Sequence, residues 1–185
     1  MSARRWLNEP ATWSDEGRNI RAVTDANTDF WRQTYYGVTR DSGHFYRQEV
    51  SGNFIMEVTL SGEYQEAHDH SGLMLRVDAR NWLRAGIEYV DGTTHVSTVI
   101  TRGFSDWSMA PWPHYAGSLR LRLTRHETAL RVQCLDTDGS WKLVRLGYLN
   151  LPSTVQVGVM CCSPEREGFA ASFSNFTVSG QEPSE

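Results

Sequence analysis

Between Asp69 and Trp107 the chain reads DHSGLMLRVDARNWLRAGIEYVDGTTHVSTVITRGFSDW, and alternation within this stretch constrains the fold more than any other feature. Side chains alternate across a strand, and directly opposed residues on paired strands share a face. Leu73, Leu75 and Val77 form one apolar set; Leu83, Ala85, Ile87 and Tyr89 form the next. Their faces agree if Val77 pairs with Leu83, Leu75 with Ala85 and Leu73 with Ile87, closing a hairpin through a loop from Asp78 to Trp82. Asp91-Gly92 then supplies a type I′ turn, which needs φ > 0. Pairing Val90 with Thr93 sets Ile87 against Val96 and Leu83 against Ile100. On the other face it sets Glu88 against His95, Gly86 against Ser97 and Arg84 against Val99. Three strands follow, with one apolar and one polar side.

The polar side is the candidate functional surface. In this register Arg76 opposes Arg84, and like charges directly opposed are destabilising. A carboxylate such as Glu88, or an anionic or polyhydroxyl ligand, would reconcile them. A solvated outer face on which two long side chains diverge fits equally well.

A length of 185 residues suits one sandwich domain, expected over residues 1–180 with a polar tail at 181–185. The formal net charge of −4 argues against a surface built to neutralise nucleic-acid phosphates. No apolar run is long enough to cross a membrane as a helix. MSARRWLNEP carries basic residues with no apolar stretch after them, so it does not read as a secretory signal, and a cytoplasmic location is expected. Cys134, Cys161 and Cys162 are odd in number and two are adjacent, which is no disulfide framework. Adjacent strand residues face opposite ways, so at most one of Cys161 and Cys162 is expected to face the core.

Elsewhere, Trp6, Leu7, Pro10 and Trp13 form an aromatic lead-in. Phe54, Met56, Val58 and Leu60 share one face of a long strand, and Leu119, Leu121 and Leu123 share one face of another. Residues 103–117, GFSDWSMAPWPHYAG, are too proline-rich for a central strand and read as a surface loop with Trp107 and Trp112 exposed, or else folded back as a lid on the core. About a dozen short strands without a long amphipathic helix indicate an all-β antiparallel sandwich or barrel.

The segments FWRQTYYGVTRDSGHFYR, SGLMLRVDARNWLRAGIEYVDG, VITRGFSDWS and VGVMCCSPEREGF resemble the "regulation of enolase protein" family. The resemblance runs from about Phe30 to Val178. It implies a concanavalin-A-like lectin/glucanase jelly roll of two curved antiparallel sheets, with a concave face where relatives hold sugars. On that reading the concave set is Arg76, Arg84, Glu88, His95, Ser97 and Thr101. The rim comprises Trp31, Tyr36, His44 and Tyr46, with Asp106, Trp107, Trp112 and His114 from the proline-rich segment.

Glycosidases need two carboxylates about 5–5.5 Å or 6.5–9.5 Å apart. Catalytic lectin-fold glucanases carry Glu-x-Asp-x-Glu on one strand, and this chain has no such spacing. Glu88 beside His95 could exchange protons near neutral pH, although cross-strand polar pairs are also ordinary features of sheets. There is no Gly-x-Ser-x-Gly elbow and no phosphate-cradling glycine loop. His68-Asp69-His70 lacks a third placed ligand, so no metal and no cofactor is expected. Three readings remain: a carbohydrate- or polyol-binding jelly roll, a small sugar-active hydrolase, lyase or isomerase using Glu88 and His95, and an interaction module regulating a metabolic enzyme.

Overall fold

The computed structural model describes residues 3–112 and 115–180. Along the first half of the chain the strands are β1 (Arg5–Leu7), β2 (Thr12–Asp15), β3 (Ile20–Val23), β4 (Phe30–Arg32), β5 (Thr39–Asp41), β6 (His44–Ser51), β7 (Phe54–Gly62) and β8 (His70–Asp78). They continue with β9 (Asn81–Val90), β10 (Thr93–Arg102), β11 (Phe104–Pro111), β12 (Leu119–His126), β13 (Ala129–Leu135), β14 (Trp141–Tyr148), β15 (Thr154–Cys162) and β16 (Ala170–Gly180). The first sheet has the order β1-β6-β15-β8-β9-β10-β11, the second β14-β13-β12-β7-β16-β3-β2. Every pairing is antiparallel, and the two curved sheets make a concanavalin-A-like jelly roll.

The core lies between the sheets. Phe54, Met56, Val58 and Leu60 of β7 are buried against Leu73, Leu75, Leu83, Ala85 and Ile87 of β8 and β9. Each of these side chains larger than alanine contributes about 1.5–3 kcal/mol when fully removed from water. The β9–β10 register is the predicted one, with Glu88 opposite His95 and Gly86 opposite Ser97. Asp91 and Gly92 both have positive φ, 51° and 78°, as a type I′ turn requires.

The β8–β9 hairpin differs from expectation by an even slip. Leu75 pairs with Leu83 and Leu73 with Ala85, so the faces survive while the partners change. Asp78 is the cause. Its Oδ1 accepts the Arg80 N–H at 2.7 Å and the Asn81 side-chain amide at 3.0 Å, closing a turn of only two residues, while an irregularity between Arg76 and Asp78 absorbs Val77. Arg84 therefore faces Met74 and Arg76 faces Trp82, and the opposed arginine pair does not exist.

Two further expectations are corrected. Residues 104–111 are not loop but the edge strand β11, and Pro111 sits at its end, where a missing N–H costs least. Trp107 and Trp112 are half-buried rather than exposed, Trp112 packing against the main core. The cysteines follow expectation: Cys161 and Cys162 face opposite ways, Cys161 into the main core and Cys162 into a second apolar cluster on the outer face of the first sheet.

That second cluster is built by a hairpin. β4 and β5 pair with each other and lie on the outer face of the first sheet, where Phe30 and Trp31 pack with Phe45, Met74, Trp82, Val99, Met160 and Cys162. Arg76 fixes the far arm through a bidentate pair to Asp41 at 2.7 and 2.8 Å. Arg32 donates its backbone N–H to Ser105 Oγ and its Nε–H to the Gly103 carbonyl, both at 2.9 Å. The outer face is thus partly filled, and what is left open lies beside the hairpin.

Candidate functional site

The open space is a pocket of about 380 Å³, within the range of small-ligand sites. The sheet contributes Arg84, Glu88 and Trp107; the hairpin and its approach contribute Asp29, Trp31, Tyr36, Val38 and Arg40. His68 comes from the β7–β8 connection, and Pro164 and Glu165 from the segment after β15.

Strand alternation sets Arg84, Gly86 and Glu88 on the same face of β9. Gly86 pairs with Gly72, and a Cβ on Gly86 would run into the Ser71 carbonyl of β8. No side chain therefore stands between the arginine and the glutamate, and Arg84 Nη1 lies 4.0 Å from Glu88 Oε2. Glu88 is buried and held on both oxygens. Ser97 donates to Oε2 at 2.5 Å and is itself held by Trp107 Nε1 at 2.9 Å, while His68 Nδ1 donates to Oε1 at 2.9 Å. Burial would raise the Glu88 carboxyl, but the His68 hydrogen bond, the Arg84 charge and the Ser97 hydroxyl outweigh it and hold it below its ordinary value.

His68 is the counterpart. The Glu88 hydrogen bond, opposed by partial burial and helped by the charges of Glu88 and Asp29, raises its pKa. Its backbone lies in the left-handed region at φ 65°, tied by its N–H to the Tyr89 carbonyl at 2.7 Å. Next to it, fully buried Asp69 gathers the N–H groups of Gln65 and Glu66 and the Arg166 guanidinium, which fixes the loop. Among the described residues His68 Nε2 has no hydrogen-bond partner. The ring is partly exposed and packs edge-on to Trp107 at 6.1 Å.

Arg84 is 3% exposed, yet none of its contacts is close: 3.4 Å to His70 Nε2, 3.9 Å to Asp29 Oδ1 and 4.0 Å to Glu88. Its Nε has no hydrogen-bond partner among the described residues. Asp29 completes the set. Desolvation raises its pKa against the pull of Arg84 and of the Phe30 N–H on Oδ1. Trp31, Trp107 and Tyr36 form an aromatic wall, each of the last two meeting Trp31 edge-on at 6.1 and 5.5 Å.

Of the residues singled out from sequence, the pocket brings together Arg84, Glu88, Trp31, Tyr36 and Trp107, with Ser97 directly behind Glu88. Arg76 and Thr101 serve the hairpin instead, Thr101 through its 2.9 Å contact with Ser105. His95 sits across from Glu88 on the backbone, but its Nδ1 contacts the Thr93 carbonyl at 3.2 Å; the histidine on Glu88 is His68. His44 joins the Asn8 carbonyl and the Asp25 N–H. Tyr46 stacks on Trp6 within the inter-sheet core, and Asp106 bridges to Arg145 of β14 at 2.9 Å. His114 lies outside the described residues. Sequence reasoning missed Asp29, Val38, Arg40, Pro164 and Glu165 and read His68 only as half of a metal-like pair. No cluster of three or more His, Cys, Asp or Glu suited to a metal occurs among the described residues.

Sheet order and a ligand-sized pocket on the outer sheet face define a concanavalin-A-like jelly roll with an acid–base and aromatic site. More narrowly, residues 6–181 match the family described as "Protein of unknown function (DUF1349)", and the chain belongs to it. It is 40% identical over 178 residues to Regulation of enolase protein 1 of Saccharomyces cerevisiae, covering 96% of this chain and 90% of that one. The crystal structure of a functionally unknown protein from the same yeast superposes with a TM-score of 0.93 at 39% identity, over 97% of both chains. Two more distant likenesses bear on the fold alone, each at 15% identity. The carbohydrate binding module CBM66 of Bacillus subtilis has a TM-score of 0.59 over 95% of both chains. A mutant of the GH43 protein BlXynB of Bacillus licheniformis has one of 0.76, over 96% of this chain and 37% of that protein.

Proposed function

We propose that the protein binds a saccharide or related polyol in the pocket between the β4–β5 hairpin, His68 and the outer face of β9. The observation that carries this reading is Arg84, a buried guanidinium beside the pocket whose partners among the described residues all stand at 3.4 Å or more and whose Nε has none there. A buried charge left short of hydrogen bonds is costly, and a ligand oxygen would relieve it. Arg84, Arg40 and His68 supply donors and Asp29 an acceptor, while flat rings suit the apolar faces of sugars. The test is calorimetric titration with mono- and oligosaccharides, on the native protein and on Arg84→Met, which keeps the stem but not the donors. Binding that disappears in the variant is expected; binding unchanged in the variant, or no saccharide bound at millimolar concentration, would overturn the reading.

A partner protein is a second reading, supported by a different surface. On β14 the irregularity opposite Val132 and Gln133 turns Leu143, Leu146 and Tyr148 to one outer face, where they are 61%, 65% and 54% exposed. β14 ends one sheet and β11, with exposed Phe104, ends the other, and Arg145 links the two edges. The name of the yeast relative points to enolase as the enzyme to try. Purified enolase should bind the native protein and not Leu146→Asp, while Arg84→Met should leave that binding intact; no complex at micromolar concentrations would remove this reading.

A further inference from the structure

Binding alone leaves one arrangement without a role. Ser97 and Trp107 fix Glu88, Glu88 fixes the tautomer and direction of His68, and a buried Asp69 cluster fixes the loop that carries it. That is the support given to a histidine whose second nitrogen exchanges protons. Asp29 lies at the other side of Arg84, and its Oδ2 has no hydrogen-bond partner among the described residues. Among the described residues the pocket lining contains no Ser, Thr, Cys or Lys, and the hydroxyl it does hold is the Tyr36 phenol.

We propose that this pocket, given that it takes a sugar, catalyses the interconversion of the anomers of a free reducing aldose, with His68 and Asp29 as the proton-exchanging pair and Arg84 between them. His68 Nε2–H gives its proton to the ring oxygen while the Asp29 carboxylate takes the proton of the anomeric hydroxyl. The bond between the anomeric carbon and the ring oxygen breaks, its electron pair going to that oxygen, and the electrons of the lost O–H bond form the aldehyde C=O. After rotation about the bond between the first two carbons the steps reverse. Asp29 returns its proton to the carbonyl oxygen, His68 takes one from the hydroxyl that was the ring oxygen, and the ring closes on the other face. Nothing is consumed. Arg84 donates to the anomeric oxygen throughout, and the fixed negative charge of Glu88 keeps the imidazolium available. His68 is faced by Glu88, Asp29 and Arg84, and Asp29 by Arg84, Glu88 and His68.

The experiment follows the optical rotation of freshly dissolved D-glucose, D-galactose and D-xylose with and without the protein, and measures calorimetric binding of their methyl glycosides, which cannot open. Acceleration of at least one sugar is expected, with a bell-shaped pH profile. The rate should rise as Asp29 ionises and fall as His68 loses its proton. At saturating aldose Asp29→Asn and His68→Gln should each lose roughly 100-fold in rate, the usual contribution of one proton-transferring group, a loss read separately from any change in glycoside affinity. Glycoside binding without acceleration of any aldose would overturn the proposal and leave the binding reading standing. Absence of binding by both aldoses and glycosides would overturn both. Full activity in His68→Gln would overturn the assignment of His68.

Discussion

Replacing Phe30 with alanine separates the hairpin from the sandwich in energetic terms. Phe30 is fully buried, its ring 6.2 Å from that of Trp82 and beneath the Arg76 guanidinium at 5.9 Å. Gly43 has no room for a Cβ because the Phe30 ring occupies that space. Truncation of such a side chain costs about 3–5 kcal/mol. The second apolar cluster lies across the first sheet from the main core, so the loss falls on docking of the hairpin before it falls on the sandwich. The hairpin is still held by the buried Trp31 and by the Arg76–Asp41 pair, the two Arg32 bonds and the bonds from Asn8 to the carbonyls of Asp41 and Gly43, each of these polar links contributing about 0.5–3 kcal/mol. In a chain this size 1 kcal/mol corresponds to about 2–4 °C. Were the hairpin integral to global unfolding, Phe30→Ala would lower the melting temperature by roughly 6–20 °C. We expect a smaller fall, with early hydrogen exchange at the amides of Ser42 and Gly43, which bond to the Asp29 carbonyl, and loss of the saccharide binding proposed above. A full-size fall in melting temperature with those amides still exchanging only on global unfolding would refute the separation.

Other outcomes follow from the same geometry. Asp69→Asn removes the carboxylate that ties the partly exposed Arg166 and the Gln65 and Glu66 N–H groups, and should cost about 1–3 kcal/mol in denaturant unfolding, with the His68 ring resonances broadened. The pKa of His68 is raised on folding, so its stabilisation is complete below its unfolded value of about 6.5 and is lost as pH rises through the folded one. The penalty for His68→Gln should therefore be largest near pH 5–6 and shrink above the folded pKa in unfolding titrations. Glu88 works in the opposite direction. Its folded pKa is lowered, so its contribution is present above 4.5 and disappears as pH falls through the folded value, which acid titration of Glu88→Gln against the native protein measures. Gly86→Ala should cost about 1–3 kcal/mol, because the added carbon meets strand backbone that has nowhere to move.

Alternation and one dipeptide were enough for the sandwich. Asp91-Gly92 fixed the β9–β10 register, and with it the common face of Arg84, Glu88 and Ser97. The neighbouring hairpin slipped because Asp78 bonds locally to Arg80 and Asn81, a side-chain turn that hydrophobic periodicity does not record. The pocket was half legible for a similar reason. Residues on β9 follow from register, but Asp29, Arg40 and Glu165 reach the pocket from segments whose positions depend on the β4–β5 hairpin folding back over the sheet. Nothing in FWRQTYY distinguishes a plug on the outer face from an edge strand. His68 and His95 illustrate the limit: opposition across a ladder named His95, whereas a left-handed loop residue with no ladder partner carries the bond to Glu88.

Because residues 29–41 supply one wall of the pocket and leave the inter-sheet core untouched, this insert can vary in length and sequence at little cost to folding. Its tip already tolerates left-handed backbone at Gln33 and Tyr35, where φ is 62°. Grafting hairpins from different family members onto this one framework would create a series of cavities of graded size above a constant Arg84–Glu88–His68 base. Ligand preference would then be inherited with a thirteen-residue cassette, independently of the scaffold that carries it.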